Sequence, residues 1–314
     1  MFKERTLFCF LLALGIATVI SVNRPEGIIV NKEMSEAVFY ANRLAREAEY
    51  DMILLGDSRT RMSLSAKYIN ATIPEYRITN FGFVACALDA TYLADASSRL
   101  DPTSKHQVLV IGLTPLSFTE WAMQHSRYRK HHNIPYIDRY ILRHLGWLFL
   151  FFEPQSVIDT LIYLKMSSSM LFSTKPHDVD LASYRAEPKF DPLWEVNRYR
   201  RELFSTTDLR ENTIKEFLAA TRSWVKKGIV VIGYRPATTD AMVEVEDQLS
   251  GLDYDKLIQD FKQAGGRWIK VENIYHCYDG SHIHKDDIPR YSSDLAAKIA
   301  EILAKEKEER RAMF

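Results

Sequence analysis

Short apolar runs alternate with amphipathic stretches along most of this chain. Five runs of β-branched or apolar residues are typical of buried parallel strands: Asp51–Leu55, Arg77–Phe81, Gln107–Ile111, Gly228–Tyr234 and Arg267–Val271. The stretches before, between and after them have apolar residues at helical spacing: Ser35–Glu49, Ala87–Leu100, Leu209–Lys227, Tyr254–Ala264 and Ile288–Glu309. This alternation predicts an α/β fold with a central parallel sheet of about five strands.

One segment, from about 115 to 207, breaks the alternation. It contains no clear strand and is rich in aromatic and basic residues. Because it is far too long for an ordinary loop, we expect a mostly helical insertion that caps the carboxyl ends of the strands, where α/β folds bind their ligands. Within it, Gly146–Phe152 is an apolar run too short to span a membrane. This run either packs on a lipid surface or a membrane partner, or forms the core of the cap.

The N-terminus has the pattern of a membrane anchor. Lys3 and Arg5 precede the 17-residue apolar stretch Thr6–Val22. That length is close to the ~20 residues that span a bilayer and exceeds the ~7–15 residues of a signal-peptide core. We therefore predict that residues 1–27 are an uncleaved signal anchor with a cytoplasmic N-terminus, and that 28–314 form a periplasmic or extracellular domain. A cleaved signal peptide is the alternative.

Charge and cysteine content exclude several other classes. Lys plus Arg equals Asp plus Glu, at 41 each, so no net field favours nucleic acid. The three cysteines are too few to indicate a disulfide framework. Cys86 and Cys277 both follow predicted strands, and are either a pair at the edge of the sheet or two small buried apolar residues.

Two short motifs carry the candidate chemistry. Gly56-Asp57-Ser58 follows the first predicted strand, and Asp279 and His282 lie three residues apart near the C-terminus. A serine at a strand's carboxyl end, a histidine and a carboxylate supply the nucleophile, the general base and the group that orients the base. The sequence thus predicts a serine hydrolase or acyl-transfer enzyme that needs no metal or organic cofactor.

At these motifs the chain resembles the SGNH hydrolase superfamily, also called GDSL-type esterases. The resemblance implies a three-layer α/β/α, flavodoxin-like fold with Ser58 as nucleophile and Asp279 and His282 as its partners. It also implies an oxyanion hole that includes Gly82, in Asn80-Phe81-Gly82. The family's Gly-x-Asn-Asp block is replaced here by Gly112-Leu113-Thr114-Pro115. Thr114 takes the position of the asparagine. Either its hydroxyl or a residue of the cap donates in place of the amide, or the enzyme is slow and specific.

The anchor, the insertion and the altered block are together similar to exported SGNH proteins of cell-envelope acylation. Such a resemblance implies an acylated glycan or envelope polymer as substrate, attachment to a membrane, and a membrane-bound O-acyltransferase as partner. The alternative is a non-catalytic SGNH-fold scaffold that binds such an acyltransferase or a glycan. The intact Ser58, Asp279 and His282 argue against the scaffold, whereas Thr114 argues for it.

A few other residues are candidates for binding or catalysis. The histidine-rich stretch around residue 130 suggests either a metal site or a basic, aromatic surface for a polyanion, although no acidic or cysteine ligand accompanies it. His284 competes with His282 as base. Two arginines that flank Ser58 suggest binding of an anionic substrate or a structural role, and a tripeptide after the fourth strand is a candidate for lining the same cleft. These residues are His125, His131 and His132, then Arg59 and Arg61, then Tyr234, Arg235 and Pro236.

Overall fold

The computed structural model describes residues 7–16, 32–45, 47–152, 191, 193–204, 208–272 and 274–312. The chain divides into two compact units. The first comprises Met1–Ala45 and His131–Val179, and the second comprises Arg46–Lys130 and Asp180–Phe314. The described residues 32–45 therefore group with part of the insertion, whereas the sequence analysis placed them in the same domain as the sheet.

A five-stranded parallel sheet forms the centre of the second unit. Its strands are β1 (Met52–Leu55), β2 (Ile78–Asn80), β3 (Val108–Gly112), β4 (Val230–Tyr234) and β5 (Arg267–Ile269). Their order across the sheet is β2-β1-β3-β4-β5, with every neighbouring pair parallel. This is the flavodoxin-like order, which places the carboxyl ends of β1 and β3 side by side. The predicted α/β fold with about five parallel strands is confirmed.

Helices occur before, between and after the strands along the chain. In chain order they are α1 (Lys32–Leu44), α2 (Ser58–Ser63), α3 (Ala66–Thr72), α4 (Ala90–Ser97), α5 (Glu120–His125), α6 (Arg127–His132), α7 (Tyr136–Phe152), α8 (Trp194–Arg198), α9 (Glu211–Lys226), α10 (Asp240–Leu249), α11 (Tyr254–Gln263) and α12 (Ile288–Ala312). A 3₁₀ turn covers Pro115–Phe118 and a π turn covers Tyr199–Leu203.

The apolar core explains why β1 and β3 lie in the centre of the sheet. Every residue of both strands is buried, as expected for strands covered on both faces. On one face, Ile69 of α3 and Ile299 of α12 belong to the same apolar cluster as Met52. Elsewhere in the unit, Phe217 of α9 stacks on Phe261 of α11, with ring centroids 5.6 Å apart. The result is a helix–sheet–helix arrangement in which the central strands are buried on both faces.

The predicted elements differ from the observed ones mainly at their ends. All five predicted strands form, each within about two residues of the expected limits. Helices α2, α3 and α10 were not predicted. Helices α2 and α3 have only six and seven residues, so each spans less than two full helical periods. Within 115–207, the described residues form helices and turns and no strand, as predicted. Residues 153–190, 192 and 205–207 lie outside the described residues.

The first unit contains helices α1 and α7 and a helical segment at residues 7–16. Gly146 of α7 lies against Val38 of α1, where a Cβ atom would come within 2.6 Å of a Val38 methyl group. Tyr136 and Ile137 of α7 are 75% and 61% exposed. Among the residues described, none of the helices has both the length and the apolar character needed to cross a membrane. Thr6 and residues 17–22 of the expected anchor, and the side chains of 147–152, lie outside the described residues.

Candidate active site

The turn after β1 places Ser58 at the carboxyl edge of the sheet. Gly56 has a φ of +148°, in the region that favours glycine, and a Cβ atom there would lie 2.9 Å from the Gly112 carbonyl oxygen. Asp57 then caps α2, with Oδ1 accepting a hydrogen bond from Arg59 N at 2.9 Å. Ser58 is the first residue of α2 and is partly exposed. Chain reversal at a buried strand end therefore leaves the Ser58 hydroxyl accessible.

Three side chains from the two predicted motifs form a hydrogen-bonded series. Nε2 of His282 lies 2.9 Å from Oγ of Ser58, and Nδ1 of His282 lies 2.7 Å from Oδ2 of Asp279. The carboxylate therefore fixes the tautomer in which Nδ1 carries the proton and Nε2 accepts the Ser58 proton. The structure brings together the three residues expected to act as nucleophile, base and orienting group.

The loop that carries His282 is organised around Asp279. Oδ1 of Asp279 accepts hydrogen bonds from the backbone N–H groups of Ser281 and His282, at 2.9 and 2.8 Å. Burial would raise the pKa of Asp279, but the nearby His282 and these hydrogen bonds outweigh it, so the pKa lies below its ordinary value. Asp279 thus stays ionised and can stabilise an imidazolium at His282.

Two other segments support this loop from outside. The backbone N–H of Glu195, in α8, donates to the Asp279 carbonyl oxygen at 3.2 Å. The hydroxyl of Thr239, just before α10, donates to the Gly280 carbonyl oxygen at 2.9 Å. Helix α8 lies near the end of the 115–207 insertion, so the last part of the insertion packs directly against the loop that carries Asp279.

Thr114 does not occupy the role expected of it. Its hydroxyl donates to Oδ2 of Asp57 at 2.7 Å, and its side chain is fully buried. Because a hydroxyl has one proton, the 3.0 Å contact with Ser117 must be a hydrogen bond donated by Ser117. The hydroxyl proton that was expected to serve an oxyanion is therefore engaged with Asp57 in this structure. Thr114 instead holds the residue that caps α2.

Gly82 is also engaged in a structural contact. Its N–H donates to Oδ1 of Asn80 at 3.0 Å, so it is not directed at Ser58 as expected. A Cβ atom on Gly82 would lie 2.7 Å from Arg61 N and 3.0 Å from Arg61 Cα. Glycine at this position therefore allows the loop after β2 to pack against the backbone of α2.

Ala85 is a candidate that the sequence analysis missed. It has a φ of +52°, the only positive φ of a non-glycine residue in the described part of the chain. Its loop contacts the turn that carries Ser58, because Phe83 N donates to the Gly56 carbonyl oxygen at 3.1 Å. Strained backbone of this kind clusters at functional sites. No sequence signal identified Ala85, because alanine carries no mark of a left-handed conformation.

The other candidates near the triad have structural contacts. His284 Nδ1 accepts a hydrogen bond from Asp286 N at 3.3 Å, and it is His282 that faces Ser58. Tyr234 is fully buried and its hydroxyl lies 3.0 Å from Thr60 Oγ1. Arg59 is 1% exposed and so is not a surface group for an anionic substrate.

The histidine-rich stretch does not assemble into a site in the described residues. His125 stacks on Trp121 and its Nδ1 lies 2.9 Å from the Trp121 carbonyl oxygen. His131 is buried, with Nε2 3.5 Å from Glu36. No group of three or more potential metal ligands occurs among the residues the structure describes.

The two buried cysteines are not alternative nucleophiles. Cys86 and Cys277 are both free and buried, which agrees with two small apolar residues rather than a disulfide. Burial raises the pKa of the Cys277 thiol to about 12, and burial also raises that of Cys86 well above its ordinary value. Both thiols are therefore protonated at neutral pH and are poor nucleophiles.

Comparison with known proteins adds no relative to this picture. The chain matches no protein-family model, no curated protein and no solved structure at a significant level.

Proposed function

We propose that this protein is an SGNH-type serine esterase or O-acyltransferase that works through an acyl-serine intermediate. The observation that carries the proposal is the hydrogen-bonded series from Ser58 through His282 to Asp279. A serine next to a correctly oriented imidazole is the arrangement that nucleophilic acyl transfer requires. The order of the motifs along the chain and their position at the sheet edge support the same assignment.

The proposed reaction has two halves, acylation of Ser58 and release of the acyl group, and His282 acts first as base and then as acid in each. Ser58 Oγ attacks the ester carbonyl carbon while His282 Nε2 takes the hydroxyl proton. The tetrahedral intermediate collapses, and His282 returns that proton to the departing alcohol, which leaves an acyl ester on Ser58. Water or a sugar hydroxyl then gives its proton to His282 Nε2 and attacks the acyl carbon. When this second tetrahedral intermediate collapses, the bond between the acyl carbon and Ser58 Oγ breaks, His282 returns the proton to Oγ, and the acid or new ester leaves.

The oxyanion needs donors other than Gly82 N–H and the Thr114 hydroxyl. The N–H of Ser58 is at the first turn of α2, where it has no partner within the helix. The N–H of Ala85 makes no hydrogen bond among the described residues. These two backbone groups are our candidates for the oxyanion hole.

Reaction with a fluorophosphonate tests the proposal. In the wild type, Ser58 Oγ should displace fluoride from phosphorus and become phosphonylated, whereas Ser58→Ala should not be labelled. Ser98→Ala, at an exposed serine after α4, is the matched control and should label like the wild type. Labelling that persists in folded Ser58→Ala overturns Ser58 as nucleophile.

A scaffold without catalytic activity is the second candidate. It is favoured by one observation: both groups expected to hold the oxyanion are engaged in structural hydrogen bonds. A folded wild-type protein that does not react with fluorophosphonates or hydrolyse small acyl esters supports the scaffold and contradicts the enzyme.

We further propose that the protein is anchored in a membrane through Thr6–Val22, with the catalytic unit exported to act on an acylated glycan or envelope polymer beside a membrane-bound O-acyltransferase. The support is the sequence pattern of basic residues followed by an apolar stretch. Recovery of a soluble mature protein that begins near Asn23 would contradict the anchor.

A further inference from the structure

Arg59 is a fully buried charged residue next to the candidate nucleophile. Its side chain is 1% exposed, and its guanidinium contacts groups far away in the sequence. Nε donates to Oγ of Ser281 at 2.9 Å, and Nη1 lies 2.7 Å from Oε1 of Glu246. Cζ lies 5.5 Å from the centre of the Tyr199 ring. An arginine is almost never buried this completely unless it is paired.

The surroundings keep Arg59 charged. Burial would lower the pKa of the guanidinium, but the carboxylate of Glu246 outweighs burial, so its pKa is raised above the ordinary value. Glu246 is itself fully buried and also pairs with Arg235, at 2.9 Å from Oε2. A buried ion pair is expensive to form and is often no more stable than apolar residues of the same size. Stability alone therefore does not account for an arginine here.

The contact with Ser281 connects the two halves of the triad. Ser281 lies in the same turn as His282, and its N–H donates to Asp279 at 2.9 Å. On the other side of His282, the N–H of Ile283 donates to Oγ of Ser63 at 3.2 Å. Helix α2, which begins at Ser58, therefore makes hydrogen bonds to the loop on both sides of His282. The fork of an arginine suits this task, because Nε and Nη1 hold two partners at once.

We propose that Arg59 is a positioning residue that sets the distance between Ser58 and His282 by holding Ser281. This inference rests on the proposed function of the triad. Arg59 touches neither reacting atom. It acts by holding the loop that carries His282. A displacement of that imidazole by about 1 Å would lower the reaction rate about 10²-fold.

Arg59→Lys is the decisive variant. Lysine keeps the positive charge for Glu246 but has no Nε–H to donate to Ser281 at the same time. The matched control is Arg235→Lys, which changes the other partner of Glu246 and leaves the Ser281 contact intact. The measurement is the second-order rate of fluorophosphonate labelling per folded molecule, followed across pH, together with the thermal midpoint of each variant.

We expect Arg59→Lys to label about 10- to 100-fold more slowly than the wild type, while Arg235→Lys labels within a few-fold of it. In Arg59→Lys, the reaction rate should stay low at every pH rather than recover on the alkaline side, because geometry rather than protonation is lost. Adding Ser281→Ala to Arg59→Lys should lower the labelling rate little further, since both changes remove the same hydrogen bond between residues 59 and 281. The proposal is overturned if both lysine variants lose the same factor in labelling rate. It is also overturned if the labelling rates of the variants simply follow their thermal midpoints.

A second readout does not depend on reactivity. Backbone amide exchange at Ser281 and His282 should accelerate in Arg59→Lys and remain at the wild-type rate in Arg235→Lys, because these amides are held by Asp279 in the loop that Arg59 fastens. If the wild type does not label, the proposed function fails, and this exchange measurement still decides the role of Arg59. Unchanged exchange in Arg59→Lys contradicts it.

Discussion

Replacing Thr114 by valine separates a structural role from an oxyanion role for this residue. Valine has nearly the same shape as threonine, so the change removes the hydroxyl while the buried volume is kept. The hydroxyl donates to Oδ2 of Asp57 at 2.7 Å, in a position where Thr114 is fully buried and Asp57 is 2% exposed. Asp57 would be left with one fewer donor, and Ser117 would lose the acceptor of its own hydrogen bond.

The size of the effect follows from these contacts. A hydrogen bond to a charged group contributes about 1.5–3 kcal/mol, and water cannot replace it at a buried carboxylate. We expect Thr114→Val to lower the free energy of unfolding by about that amount. For a unit of this size, the thermal midpoint should fall by about 3–12 °C, at about 2–4 °C for each kcal/mol. Thr114→Ser, which keeps the hydroxyl, is the matched control and should lose much less.

The assay combines urea unfolding with fluorophosphonate labelling. If the Thr114 hydroxyl only holds Asp57, labelling per folded molecule should fall by much less than the ~10²–10³ that the loss of an oxyanion donor costs. A variant that keeps its stability but loses about 100-fold or more in labelling rate would refute this reasoning. That result would mean that the Thr114 hydroxyl turns from Asp57 to the reacting oxygen when an ester binds.

Two further predictions concern the neighbours of Ser58. Gly82→Ala should lower the free energy of unfolding by about 1–3 kcal/mol in urea titrations, because the added methyl group would collide with the Arg61 backbone, and an unchanged midpoint would contradict this contact. For Asp279, the folded pKa lies below the ordinary value of 3.8, so its stabilisation is complete above that pH and is lost as the pH falls through the folded value. The difference in unfolding free energy between the wild type and Asp279→Asn should therefore narrow below about pH 3.8, and a difference that stays constant down to pH 2 would contradict it.

Some features could be predicted from the sequence because their causes are local. Strands buried on both faces appear as short apolar runs, so β1 to β5 were found within about two residues. The positions of Ser58 and His282 at strand–helix junctions followed from the same pattern, since parallel strands share one carboxyl edge. The short helices α2 and α3 were missed because they contain too few turns to show a helical period.

The partners of individual polar groups depended on the tertiary structure. The Thr114 hydroxyl and the Gly82 N–H were available donors by residue type, and contacts made only on folding engage them with Asp57 and Asn80. The sequence offered Arg59 as a group for an anionic substrate or for a structural role, and it could not decide between them because the partner Ser281 lies 222 positions away. Residue types and strand pattern are properties of the chain by itself, so the sequence determined the sheet and the three residues of the triad. Hydrogen bonds between distant segments exist only once those segments pack together, so the fold alone decided which donors remain for an oxyanion and that Arg59 is buried.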